Sequence, residues 1–199
     1  MKLQPIIVVT HLLLAMALLA SLILLGSRNE PPHVVAPQAA SLRWAGLLAL
    51  VLLVVQIFLG GWVSTNYAVL ACDEFPSCHG GQWWPHLDFG QGFQLWRGLG
   101  QRADGGWLGF EALAAIHMAH RLGAAAVFAA LLALAWSLRA HAPGWSRALL
   151  AAGGWQLASG LSNVVLDWPI VAALAHTAGA AVLLALLTTL FARACRAPS

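Results

Sequence analysis

Charged residues are scarce in this sequence. Only 9% of its 199 residues are Asp, Glu, Lys or Arg, whereas 60% are hydrophobic and the mean hydropathy is +0.78. A soluble domain carries about 25% charged residues, so the composition excludes an ordinary soluble domain and indicates a membrane protein. Ten basic residues outnumber seven acidic ones. In a membrane protein this surplus reports topology and does not indicate nucleic-acid binding.

We also expect no cleavable signal peptide, because the first apolar run is long and no small-residue cleavage site follows it. We predict an all-α membrane protein, a transmembrane helical bundle with five spans of about 20 residues each. A long outer loop, 65–110, separates the second and third spans, and a tight turn at 167–169 joins the last two. The predicted spans are 4–26, 43–64, 111–136, 146–166 and 168–192.

The arginines predict the orientation in the membrane. When the five spans alternate, six arginines fall on one side, and by the positive-inside rule that side is the cytoplasm. The loop 27–42, the C-terminal tail 193–199 and the C-terminus then face the cytoplasm, while the N-terminus and the loop 65–110 face outward. The six are Arg28, Arg43, Arg139, Arg147, Arg193 and Arg196.

The three cysteines fit this topology. Cys72 and Cys78 lie in the outer loop within "CDEFPSC", and two close cysteines in an oxidising compartment favour a disulfide. A metal pair completed by His79, or two free thiols, are the alternatives. Cys195 lies in the cytoplasmic tail and has no predicted role.

A weak internal repeat links the two ends of the chain. "LQPIIVVTHLLLAMALL" (3–19) and "DWPIVAALAHTAGAAVLL" (167–184) each begin with a Pro-led apolar run and place a His one to two turns later. Both spans run from outside to inside. Residues 1–26 are therefore predicted to be the last span of an earlier unit, and 43–192 a complete four-span unit. On this interpretation the first part of a longer protein is missing, or the chain begins at an internal Met.

Four histidines fall within spans: His11, His117, His120 and His176. Ionisable residues inside a membrane are costly and suggest function. His120 and His176 each lie roughly 12–14 Å below the outer surface at 1.5 Å per residue. Two imidazoles at one depth on neighbouring helices suit the two faces of a haem iron, and an apolar slot between helices suits the porphyrin.

Other residues near this pair have expected roles. His117 shares a helix face with His120 and is expected to support the ligands or face a substrate. Arg121 is a candidate partner for an anionic haem propionate. One alternative is a Zn or Fe site of His117, His120 and His176, although the spans offer no nearby carboxylate. A purely structural role for these histidines is the other.

Four segments together form a recognisable combination: a Cys pair before a Trp-rich loop, a His-Arg pair, a Gly/Ser-rich stretch and a late-span His. This combination resembles the heme A synthase family, the cytochrome oxidase assembly proteins that convert haem O to haem A. The similarity extends over nearly the whole chain. The segments are "LGGWVSTNYAVLACDEFPSCHGGQWWP" (59–85), "AIHMAHRLGA" (115–124), "QLASGLSNVVL" (156–166) and "AHTAGAA" (175–181).

The resemblance implies two similar four-helix halves, each offering a His pair to a haem. It implies that His120 and His176 are axial ligands of the iron of a b-type haem, and that Cys72 and Cys78 form a disulfide. His11 matches the late-span His of the first half, where it would help to hold the substrate haem, but its partner His and the catalytic Glu have no counterpart here. The catalytic residues of this chain therefore remain unknown.

The resemblance also implies a setting: a multi-pass protein of the bacterial inner (plasma) membrane, acting with a haem O synthase and an electron donor in haem A biosynthesis. Activity of this chain alone is in question, because first-half helices are missing, so self-association or a separate first-half partner is one expectation. An alternative is a non-catalytic haem-binding protein that carries electrons or chaperones haem. An inert structural subunit would bind no haem.

Overall fold

The computed structural model describes residues 4–28 and 39–196. Within these ranges the regular structure is helical, apart from two isolated β-bridges in the loop 65–110. This confirms the predicted all-α fold class. The elements are α1 (Pro5–Ser27), α2 (Ala39–Thr65), a 3₁₀ helix (Ala68–Ala71), α3 (Phe89–Gly92), α4 (Phe110–Leu138), α5 (Pro143–Val165) and α6 (Ile170–Arg196).

Four of the five long helices are long and apolar enough to cross a membrane, namely α1, α2 from Ser41 onward, α4 and α6. This confirms a membrane helix bundle. The helix α5 has a comparable length of 23 residues, but polar side chains lower its hydropathy, and its crossing of the membrane stays a prediction. Those side chains include Gln156, Ser159, Ser162 and Asn163.

The helix ends follow local sequence. Pro5 and Pro143 open α1 and α5, where a missing backbone N–H leaves no bond unmade. Asp167 and Trp168 adopt left-handed backbone angles, with φ of 55° and 58°, and so reverse the chain between α5 and α6. The predicted tight turn is confirmed.

Two boundaries differ most from the predicted ones. The helix α2 starts at Ala39, before the predicted span at 43, and α6 continues to Arg196, into the predicted tail 193–199. Most of the predicted cytoplasmic loop, residues 29–38, lies outside the described residues, as do 1–3 and 197–199.

The helices pack so that the two histidine-bearing helices face each other diagonally. The helix α2 packs against both α4 and α6, and α5 packs against the same two helices from the other side. Among the described residues, α4 and α6 do not pack on each other. The helix α1 lies outside this group of four, against α2 and α6. The helices α4 and α6 therefore lie on one diagonal of the four-helix group, and α2 and α5 lie on the other.

The inner half of the bundle is filled by aliphatic side chains. Leu149, Leu187 and Leu190 are fully buried there, and the cluster includes residues of α2, α4, α5 and α6. Between helices in lipid, close packing rather than water exclusion stabilises association. The inner half of the bundle is therefore a packed apolar region, and the histidine-bearing region lies in the outer half.

The loop 65–110 closes the outer end of the bundle around Arg97. This side chain is buried, and its guanidinium donates to the side-chain oxygen of Asn66 at 2.9 Å, to the carbonyl oxygen of Gly92 at 2.7 Å and to that of Gln91. The indole of Trp62 also donates to the Gly92 carbonyl at 2.9 Å. These bonds fix α3 to the end of α2. Because the site is desolvated, the pKa of Arg97 falls to about 10, which leaves the guanidinium charged at neutral pH.

Candidate functional site

His120 of α4 and His176 of α6 approach each other in the space between the four helices. Their ring centroids lie 6.4 Å apart and the ring planes are inclined by 78°. Two imidazoles that each place a nitrogen about 2 Å from one metal ion have ring centres about 6 Å apart. The separation therefore fits two ligands on opposite sides of one metal ion.

A glycine faces each ring. A Cβ atom at Gly60 of α2 would lie 3.2 Å from Cε1 of His120, and one at Gly160 of α5 would lie 3.2 Å from Cε1 of His176. A Cβ atom there would be in tight contact with the ring, which would have to shift by a few tenths of an ångström. The two glycines thus let each imidazole lie against the backbone of a neighbouring helix.

The side chain of Gln56 contacts His120 from α2. Its amide Nε2 lies 2.9 Å from the ring Nδ1, 3.5 Å from the ring Nε2 and 3.0 Å from the His120 carbonyl oxygen. The amide oxygen of Gln56 is buried and has no hydrogen-bond partner among the described residues. The glutamine therefore holds the His120 ring through its amino group alone.

His176 is held by α5 in another way. Ser159 Oγ lies 3.0 Å from His176 Nδ1, and the same hydroxyl donates to the Trp155 carbonyl oxygen at 2.8 Å. The partner that α5 presents to the ring is thus a hydroxyl group.

His117 is buried and bonds to the outer loop. Its Nδ1 donates to the carbonyl oxygen of Ala68 at 3.0 Å, which ties α4 to the 3₁₀ helix. Across residues 4–28 and 39–196, no group of three or more His, Cys, Asp or Glu side chains is arranged to hold a metal ion. The described geometry thus gives no support to the three-histidine alternative, and the supporting role predicted for His117 stays a prediction.

Arg121 reaches outward into the segment 72–78 of the outer loop, which begins at Cys72 and ends at Cys78. Its guanidinium donates to the carbonyl oxygens of Ser77 at 2.8 Å, Cys72 at 3.1 Å and Glu74 at 2.7 Å. The residue after the ligand candidate His120 therefore clamps the loop above the histidine pair. Its predicted contact with a propionate stays a prediction.

The Sγ atoms of Cys72 and Cys78 lie 2.06 Å apart, a disulfide distance. His79 does not join them, because its Nδ1 pairs with the Asp73 carboxylate at 2.8 Å on the surface. This hydrogen bond raises the pKa of His79 and lowers the pKa of Asp73. The alternative of a metal site at these cysteines has no geometric support in the described loop.

His11 lies on the exposed face of α1. The opposite face of that helix packs on α2, where Val9 and Leu12 approach Gly61. The predicted role of His11 at a second haem stays a prediction.

Comparison with known proteins matches residues 1–188 to the family model described as cytochrome oxidase assembly protein. The chain belongs to this family. The match covers α2, α4 and α5 in full and α6 as far as residue 188, so it includes both histidines of the pair.

Two curated family relatives are named heme A synthase. One, from Shewanella oneidensis, is 39% identical over 194 residues, covering 96% of this chain and 58% of the relative. The other, from Methylobacterium radiotolerans, is 34% identical over 189 residues, covering 92% of this chain and 48% of the relative. The chain thus spans about half the length of the curated relatives it matches. No solved structure matches it.

A second repeat becomes visible only in the structure. Gln56 and Gly60 of α2 are spaced as Gln156 and Gly160 are in α5, and both histidines are followed three residues later by a glycine, Gly123 or Gly179. In each pair the glutamine side chain packs against that glycine. The four-residue and three-residue spacings were a signal within the sequence, but they gain meaning only once the helices are paired.

Proposed function

We propose that this chain binds a b-type haem through His120 and His176, as part of heme A synthesis. The observation that carries the proposal is the diagonal pair of imidazoles, 6.4 Å apart, each lying over a glycine of a neighbouring helix. The donor set suits the group, because two neutral nitrogen ligands are a known haem ligation. The flanking glycines supply room beside each ligand.

The experiment is an absorption spectrum of the purified membrane protein, oxidised and reduced, beside His120→Ala and His176→Ala variants. A six-coordinate low-spin haem in the unaltered protein, lost in both variants, is expected. His141→Ala is the matched control, because this histidine lies between α4 and α5 at the inner end. Wild-type protein without haem, or haem retained in both ligand variants, would contradict the proposal.

The reaction proposed for the intact system is the oxidation of a methyl group of haem O, the substrate, to the formyl group of haem A, the product. A bound haem supplies the redox chemistry, and the protein supplies ligation, orientation and exclusion of water. A haem O synthase and an electron donor are the proposed partners. A second copy, or a separate chain, would provide the histidine that pairs with His11 in the substrate site.

We also propose that the protein lies in the bacterial inner membrane with the loop 65–110 outside, and that Cys72 and Cys78 are covalently bonded there. The charge distribution supports this orientation. The described acidic residues lie in or next to the outer loop and the turn at Asp167, whereas Arg28, Arg43, Arg139 and Arg147 lie at the opposite ends of the helices.

A non-catalytic haem carrier is the alternative function. It requires only the histidine pair of α4 and α6, whose ring centroids lie 6.4 Å apart. Both functions predict the same haem spectrum, so incubation with haem O and reductant separates them. Formation of haem A supports the enzyme, whereas a stable haem spectrum without conversion supports the carrier.

A further inference from the structure

The hydrogen bonds around His176 determine which nitrogen of its ring carries the proton. A hydroxyl has one proton to donate, and Ser159 donates it to the Trp155 carbonyl at 2.8 Å, with the Gln156 carbonyl as a longer second acceptor at 3.4 Å. The hydroxyl therefore meets His176 Nδ1, 3.0 Å away, with a lone pair. For a hydrogen bond to exist, Nδ1 must be the donor.

The ring N–H of His176 therefore lies on Nδ1, where it donates to the Ser159 hydroxyl oxygen. A neutral imidazole has one N–H, so Nε2 of His176 keeps a free lone pair.

The opposite arrangement holds for His120. Only the amino group of the Gln56 amide can donate to the His120 carbonyl oxygen, which lies 3.0 Å from Nε2 of Gln56. The same amino group lies 2.9 Å from His120 Nδ1. An amino group only donates, so His120 Nδ1 accepts, and the ring proton lies on Nε2.

We propose that Ser159 and Gln56 are positioning residues that fix opposite tautomers of the two histidines, with the ring proton on Nδ1 of His176 and on Nε2 of His120. The Gln, Gly and His spacings are the same around both histidines. Ser159 and Gln56 nevertheless give the two histidines different tautomers. The tautomers stand on the protein geometry alone, whereas their consequence for haem rests on the proposed function.

The consequence is an order of binding. A nitrogen needs a free lone pair to bind a metal ion, and a partner that accepts from the other nitrogen strengthens the ligand. His176 meets both conditions as it stands. His120 meets them only after the Gln56 amino group leaves Nδ1 and the ring proton moves from Nε2 to Nδ1. His176 is therefore the first ligand and His120 the second.

The direct test uses nitrogen NMR of protein labelled with ¹⁵N-histidine, in lipid and before haem is added. The signals that disappear in His176→Ala are expected to show a protonated Nδ1, and those that disappear in His120→Ala a protonated Nε2. Ser159→Ala is expected to mix the tautomers of His176, and Ser159→Thr to restore them. Equal tautomers of the two histidines in the unaltered protein would overturn the proposal.

Haem titration gives the second readout. Ser159→Ala is expected to weaken haem binding about 10- to 100-fold, as loss of a ligand's hydrogen-bond partner does. Gln56→Leu is expected to have the opposite effect and to strengthen haem binding in the same titration, because it removes the amino group that donates to His120 Nδ1. Ser162→Ala and Thr65→Val are the controls, since both hydroxyls donate only to the backbone of their own helix.

Effects of the same sign from Ser159→Ala and Gln56→Leu would contradict the order of binding, because a merely structural role weakens binding in both variants. An unaltered protein that binds no haem would refute the proposed function. In that case the nitrogen spectra alone decide the tautomers, so the two failures are distinguishable.

Discussion

At the scale of single residues, the positions of the two histidine rings depend on Gly60 and Gly160, which have no Cβ atom. A Cβ at Gly160 would lie 3.2 Å from the His176 ring, whereas a Cβ at Gly154, on the same helix, would meet nothing within 4 Å. The same substitution made at Gly160 and at Gly154 therefore distinguishes an effect on the His176 ring from an effect on helix α5.

Gly160→Val is expected to displace the His176 imidazole and to reduce haem occupancy of the purified protein by about tenfold or more, the size of effect seen when support of a ligand is lost. Gly154→Val introduces the same β-branched residue into open space and should leave occupancy unchanged. The measurement is the ratio of haem absorbance to protein. Equal losses in both variants would attribute the effect to the helix rather than to the ring.

The surface pair of Asp73 and His79 gives the outer loop a pH dependence. The lowered pKa of Asp73 contributes stability above its ordinary value of 3.8, which is lost as the pH falls through the lowered value. The raised pKa of His79 contributes below its ordinary value of 6.5, and this is lost as the pH rises through the raised value. The pair therefore stabilises the loop most between these two pH values.

Reduction of the Cys72–Cys78 bond by a phosphine reports this stability. The rate is expected to be lowest between about pH 4 and pH 6.5, the window set by the two ordinary pKa values. It should rise as the pH increases through the raised pKa of His79. Asp73→Asn should remove the minimum. A variant with an unchanged pH profile would show that the pair does not hold the loop.

At the scale of elements, the outer loop is fastened to the helices by two arginines with carbonyl partners. Arg97 joins α3 to the end of α2, and Arg121 joins α4 to the segment 72–78. A hydrogen bond to a charged group stabilises by about 1.5–3 kcal/mol. Neither fastening is visible in the sequence, because it depends on how the loop folds back.

Arg97→Met is expected to destabilise the protein by about 3 kcal/mol, since it leaves the side-chain oxygen of Asn66 buried without its donor and removes one of the two donors to the Gly92 carbonyl oxygen. The measurement is the thermal unfolding midpoint in detergent. Arg102→Met is the control, because Arg102 forms a partly exposed 3.3 Å pair with Asp104, and such pairs contribute about 1 kcal/mol at most. Equal shifts in both would argue against a buried clamp.

Arg121→Gln is expected to accelerate reduction of Cys72–Cys78, because three carbonyl contacts of the loop are weakened together. Haem titration of the same variant tests the propionate role. Faster reduction with unchanged haem affinity assigns Arg121 to the loop alone, and a loss of affinity in addition supports a contact with the propionate. A reduction rate equal to that of the unaltered protein would dismiss the clamp.

At the scale of the whole molecule, the bundle was predictable because a continuous apolar run of about 20 residues has few alternatives to a membrane helix. The depth of His120 and His176 follows from helix rise alone, so their approach was predictable too. Helix rotation was not, because it depends on packing between helices. For that reason the contacts of Gln56 and Ser159 emerged only from the structure.

The proposed orientation can be tested with a native thiol. Cys195 is exposed near the end of α6, and a membrane-impermeant maleimide is expected to label it in inverted vesicles and not in right-side-out ones. Ala103→Cys, in the exposed outer loop, is the control and should label with the opposite preference. Labelling of both thiols from one side would contradict the predicted topology.

The diagonal placement of α4 and α6 has an optical consequence. A haem held between these two helices would contact all four helices. Its absorption spectrum would depend on how His120 and His176 bind the iron. Under the proposed function, any tilt or slide of one helix pair against the other changes that spectrum. The absorption spectrum of the haem would therefore report movement of the helices in intact membranes, without an added label.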